Sequence, residues 1–109
     1  MDISQKKSMQ YVKFIFFFRL LGKVYNDIGL LYNGLKSYKN AAECFELAIP
    51  LMRTENPDKS LEAVLQQNLG AVYNQLKEYN KAMDCHRQAV SLHGKKGFIF
   101  LTSLSWRLN

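Results

Sequence analysis

Apolar and small residues recur three and four positions apart along most of the chain. Ile28, Leu31, Tyr32 and Leu35 lie on one such stripe, and Ala41, Phe45, Ala48 and Leu51 or Met52 on the next. That spacing places them on single faces of α-helices. The stripes predict a first helix ending near Leu35 and a second running from Tyr38 to about Thr54. Pro50 should kink the second helix, because its ring removes the hydrogen bond to the carbonyl of Glu46. Asn56-Pro57-Asp58 is a turn followed by a helix start. A third helix is expected over about 58–76 and a fourth over 79–93, with Gly94 as a stop. Upstream, Tyr11, Phe14, Ile15 and Phe18 keep helical spacing, so the first helix should begin near residue 8. The pattern describes an all-α chain of antiparallel helical hairpins.

The second hairpin repeats the first. Laying 28–38 over 69–79 puts Gly29 on Gly70, Tyr32 on Tyr73, Asn33 on Asn74, Leu35 on Leu76, Lys36 on Lys77 and Tyr38 on Tyr79. Further along, Ala41 meets Ala82, Cys44 meets Cys85 and Ala48 meets Ala89, all at an offset of 41 residues. An offset held this long marks an internal structural repeat. Within a helix, glycine costs about 1 kcal/mol relative to alanine, so a glycine that recurs needs a reason. Close helix packing supplies one, with Ala41, Ala48, Ala82 and Ala89 expected as the small residues opposite Gly29 and Gly70.

Leu69-Gly70-x-x-Tyr73, Tyr79-x-x-Ala82 and Ala89 resemble the signature of the tetratricopeptide repeat family, as do Ile28-Gly29-x-x-Tyr32, Tyr38-x-x-Ala41, Phe45 and Ala48. The usual period of that family is about 34 residues, and the extra length here falls around Arg53 to Ser60. The longer period, and His86 where most members place a large aromatic, resemble the subgroup of kinesin light chains and spindle-orientation adaptors. The resemblance implies two antiparallel hairpins stacked as a short α-solenoid with an extra N-terminal helical extension. Its parts would be a basic, aromatic extension at 1–21, a first repeat at 22–55, a turn and helix start at 56–62, a second repeat at 63–94 and a non-repeat tail at 95–109. Two repeats and an apolar tail (Gly97-Phe98-Ile99-Phe100-Leu101) also fit a fragment or splice form of a longer repeat protein, since about three units are needed for stability.

In the family, the first helices of successive hairpins line a concave groove that receives an extended peptide or a helix. The resemblance therefore implies groove side chains at Lys23, Asn26, Asp27, Leu30, Asn33 and Gly34 in the first unit. In the second they fall at Val64, Gln67, Asn68, Ala71, Asn74 and Gln75. Asn68, just before the Leu-Gly pair, is the expected reader of a partner's backbone, because an amide donates and accepts at once. Asp27 stands at that place in the first unit and breaks the asparagine ladder. A basic clamp for a C-terminal carboxylate, used by chaperone-binding members, is echoed by Lys23 and Asn26, but Gln67 and Asn68 supply no second cation. The expected function is a protein-interaction adaptor with a protein or peptide partner and no cofactor. The alternative is a structural segment that self-associates or packs on neighbouring repeats through its apolar ends, Phe14 to Phe18 and Phe98 to Leu101.

Charge does not redirect this reading. The net charge of +6 divides into +3 over the first twenty residues and +3 over the last fifteen, with eight basic and eight acidic residues cancelling across 21–94. A nucleic-acid domain concentrates basic residues on a folded face, so nucleic acid is not the expected partner. The sequence holds no unbroken apolar run long enough to cross a membrane, and a membrane-surface role is left only to the basic, aromatic N-terminus. Two cysteines, Cys44 and Cys85, are too few for a disulfide scaffold or a four-cysteine metal site, and they fit a reducing, cytoplasmic setting. His86 and His93 sit about two helical turns apart, too far for one zinc ion. Asp27, Glu62, Glu78 and Asp84 are expected as solvated helix-surface carboxylates. No nucleophile stands in a catalytic setting, so neither a catalytic nor a metal site is expected.

Overall fold

A computed structural model of the chain describes residues 2–54 and 57–93. These residues form four helices: α1 (Ile3–Gly34), α2 (Tyr38–Leu51), α3 (Lys59–Gln75) and α4 (Tyr79–His93). α1 pairs with α2, α3 pairs with α4, and α2 packs on α3 to join the hairpins. The two-hairpin, all-α arrangement expected from the 41-residue repeat is therefore present. Gly94 and the apolar segment 97–101 lie outside the described residues.

α1 is longer than its apolar stripe indicated. It starts at Ile3, not near residue 8, because Asp2 and Gln5 form a reciprocal cap. Asp2 Oδ1 accepts from the Gln5 amide at 2.8 Å, and Gln5 Oε1 accepts from the Asp2 amide at 3.4 Å. This arrangement satisfies amides that the first turn leaves without intrahelical partners. The bond from the Gln5 amide, and then one from the Ser4 hydroxyl, hold the Asp2 carboxyl below its ordinary pKa. Residues 3–21 and the first helix of repeat 1 are one uninterrupted helix, so the boundary expected at 21/22 falls in its middle.

Both hairpins turn by the same device. The Ser37 amide donates to the Tyr32 carbonyl at 2.9 Å and the Lys36 amide to Asn33 at 3.0 Å. Forty-one residues on, Glu78 donates to Tyr73 at 2.9 Å and Lys77 to Asn74 at 3.1 Å. This paired bonding is a Schellman C-cap. It places Lys36 and Lys77 at φ 62°, a left-handed conformation that glycine adopts without steric cost and lysine does not. α2 ends at Leu51, one residue after Pro50, instead of kinking and continuing to Thr54. Met52 and Arg53 then donate to the carbonyls of Ile49 and Pro50 in tight turns, at 3.0 and 3.2 Å. Asp58 begins α3 by accepting from the Leu61 amide at 3.0 Å.

The core lies where α2 meets its neighbours. Ala41, Phe45, Ala48 and Met52 are fully buried there, with Leu65 and Val72 from α3. The recurring glycines work differently from the small-against-small crossing expected. A Cβ on Gly29 would sit 2.6 Å from Phe45 Cε1, and one on Gly70 would sit 2.8 Å from His86 Cε1. Each glycine makes room for a ring, and Phe45 and His86 occupy the same repeat position. The alanines are buried alongside, but they are not what Gly29 and Gly70 face.

Candidate functional site

The expected groove residues divide between α1 and α3. On α1, Lys23, Asp27 and Leu30 are exposed while Asn26 and Asn33 are half-buried; on α3, Gln67 and Asn68 are half-buried while Ala71, Asn74 and Gln75 are exposed. Val64 and Gly34 are exposed as well. The structure brings one pair into contact across the two helices: Asn68 Nδ2 donates to Asn26 Oδ1 at 2.9 Å. These residues are separated by 42 positions in sequence, so the bond links the first helices of the two repeats. Nε2 of Gln67 is buried and has no hydrogen-bond partner among the described residues.

Of the expected groove residues, Lys23 also lines a recess further along α1. The recess is open, has a volume of about 560 Å³ and is lined by Lys13, Phe16, Phe17, Leu20, Lys23 and Asp58 among others. It lies between the N-terminal half of α1 and the start of α3. Apart from Lys23, the residues that line it on α1 belong to the extension that the sequence sets apart from the repeats. The helical spacing of Tyr11, Phe14, Ile15 and Phe18 already put these residues on the first helix, but nothing in the sequence showed that Asp58 lies beside them.

Two polar contacts hold the hairpins in register beside the groove. Arg53 pairs with Glu62 across the α2–α3 connection. Glu62 is buried, which corrects its expected role as a solvated surface carboxylate. Its place in the first turn of α3 suits it twice, since a negative charge is favoured at a helix N-terminus and the guanidinium covers it. Asp27, Glu78 and Asp84 are exposed, as expected. Tyr73 Oη donates to Glu46 Oε1, joining α3 to α2. Burial, and then the Glu46 carboxylate, push the phenol well above its ordinary pKa. Neither contact is visible as a motif, because each depends on how one hairpin is set against the next.

Reactive chemistry is suppressed at the remaining candidates. Cys44 and Cys85 are free and buried at equivalent places. Burial raises both thiols, Cys85 to about 11, so neither supplies a thiolate near neutral pH. Burial lowers the His86 pKa, and its Nδ1 is enclosed without a partner among the described residues. Among the described residues, no three His, Cys, Asp or Glu side chains gather closely enough to hold a metal ion, and no helix is long and apolar enough to cross a membrane.

No curated protein and no solved structure shows significant similarity to the chain. A family model does match: that of the tetratricopeptide repeat, over residues 20–94. The matched span takes in both hairpins and both glycine–ring contacts. Such repeats are in general a non-catalytic fold for protein–protein interaction. With two hairpins turned by the same cap and a repeat profile covering more than half of its length, the chain belongs to the tetratricopeptide repeat family.

Proposed function

We propose that the chain is an adaptor whose α1–α3 groove binds a protein partner as an extended peptide or a short helix. The observation that carries this reading is the Asn26–Asn68 amide pair. Each amide offers two donor hydrogens and an acceptor oxygen. Their mutual bond uses one donor and one acceptor lone pair, which leaves Asn26 Nδ2 and Asn68 Oδ1 for a peptide backbone that needs both. Leu30 and Ala71 give the same face an apolar floor. Asp27, where Asn68 has its counterpart, can only accept when ionised, so the first unit favours a donor from the partner. A groove of two units offers few such points, and since a few residues dominate most interfaces, affinity should be modest.

The test is a pull-down from cell lysate with wild type and with Asn68→Ala/Gln75→Ala, followed by titration of the captured partner's binding peptide. Equal helicity of the two proteins by circular dichroism is the control. A partner held by wild type and lost by the variant supports groove recognition. Equal retention by both proteins refutes it.

A further inference from the structure

The repeat supplies an internal control for which faces are unpartnered. α1 and α3 each pack against the second helix of their own hairpin, but α3 packs in addition on α2 of the preceding hairpin. A position buried on α3 and exposed at its counterpart on α1 is therefore one that α2 covers. Three positions behave this way. Leu65, Leu69 and Val72 are 0%, 5% and 1% exposed; their counterparts Val24, Ile28 and Leu31 are 43%, 37% and 69% exposed. The intervals of four and three residues put them on one helix face. The second helices show the complementary difference. Ala42 of α2, which packs between α1 and α3, is 5% exposed, whereas its counterpart Met83 on α4 is 52% exposed. Ile49 is buried, and its counterpart Val90 is half-buried.

Among the described residues the chain thus makes one α2–α3 contact and exposes both halves of it again, one on α1 and one on α4. We propose that these halves meet between copies, the α1 face of one molecule docking on the α4 face of a second copy of this chain. The chemistry at the centre fits. Met83 replaces Ala42 with a longer, unbranched side chain that adapts to an imperfect apolar surface. Arg87 stands where Glu46 accepts the Tyr73 hydroxyl, and Tyr32 stands at the place of Tyr73. The Arg87 guanidinium can donate to the hydroxyl of Tyr32 in the second copy, so the polar bond keeps its position and reverses its direction. Phe14, Phe16, Phe17 and Leu20 are exposed too, but no buried counterpart among the described residues shows what would cover them. A contact between two different faces leaves one of each free at the ends of every pair, so association continues beyond the dimer or closes into a ring.

Sedimentation of the full chain over a concentration series tests this. Wild type is expected to gain mass with concentration, without a plateau at the dimer. Leu31→Glu disables only the α1 face and Met83→Glu only the α4 face. Each variant alone should be monomeric, with the half-association concentration raised roughly tenfold or more. Mixed together, they should form a one-to-one dimer and nothing larger, because each retains the face the other has lost. Both positions are exposed, and far-ultraviolet circular dichroism confirms folding; Leu31→Ser and Met83→Ser replace any variant that loses helicity. Monomeric wild type, a variant that assembles like wild type, or a mixture that stays monomeric or grows past the dimer would each overturn the proposal. Asn68 lies outside both faces, so this result is independent of groove binding.

Discussion

Replacing Gly29 by alanine should destabilise the chain, although alanine is the better helix former. Helix propensity alone favours the substitution by about 1 kcal/mol. Against it stands the Phe45 ring, with Cε1, Cζ and Cδ1 at 2.6, 2.8 and 3.0 Å from the new methyl. Carbon atoms pack best near about 3.5–4.0 Å, so the closest of these overlaps by roughly 1 Å. Phe45 is fully buried, so its ring can move only by displacing the side chains packed around it. Overpacking of this kind costs about 1–3 kcal/mol, and a rigid, enclosed ring places it in the upper part of that range. The expected net loss is about 1–2 kcal/mol. At about 4–8 °C per kcal/mol for a small domain, the melting temperature should fall by roughly 5–15 °C. Gly34 provides the control, since its Cβ would meet nothing within 4 Å. Gly34→Ala should gain about 0.5 kcal/mol. Thermal melts followed by far-ultraviolet circular dichroism decide the matter. If Gly29→Ala melts at or above wild type, or if the two substitutions shift the melt in the same direction, the packing argument is wrong.

Two further outcomes follow from single residues. His86 is held below its ordinary pKa of 6.5 by burial, so the unfolded chain takes up its proton first on acidification. Its contribution to stability is complete above pH 6.5 and is lost as pH falls from there toward the depressed folded value. Urea midpoints should therefore drop between neutral pH and about pH 5, and His86→Phe, which copies Phe45 of the first repeat, should flatten that slope. Lys77 sits at φ 62°, where a side chain costs about 1–2 kcal/mol. Lys77→Gly relieves that strain but frees the unfolded chain, so a net gain of about 0.5–1 kcal/mol is expected in chemical denaturation; a loss would mean that the lysine side chain stabilises the turn by contacts stronger than the strain.

Local order was legible where the chain itself supplies the cause. The hairpin boundaries followed from helical stripes, and the second hairpin was placed to within a residue at both ends of α3 and α4. The start of α1 was equally local, since Asp2 and Gln5 make a cap that any reading of the first turn could have used. The end of α2 was half-legible: Pro50 marks the place, but whether a helix kinks or stops depends on the packing beyond it.

What the tertiary structure alone decided is which neighbour each side chain meets. Gly29 and Gly70 announce a close approach, yet only the crossing of α1 with α2 and of α3 with α4 shows that rings approach and not alanines. Glu62 and Asp27 both read as surface carboxylates. The α2–α3 connection covers Glu62 and gives it Arg53, while Asp27 stays in solvent. Asn26 and Asn68 belong to separate units in sequence and meet only because α3 is set beside α1. The reason is physical: helical periodicity and caps are fixed by residues a few positions apart, whereas the rotation of one hairpin on the next is fixed by the whole α2–α3 contact. Val24 and Leu65 occupy the same place in the repeat, and only the presence or absence of a covering helix makes one exposed and the other core.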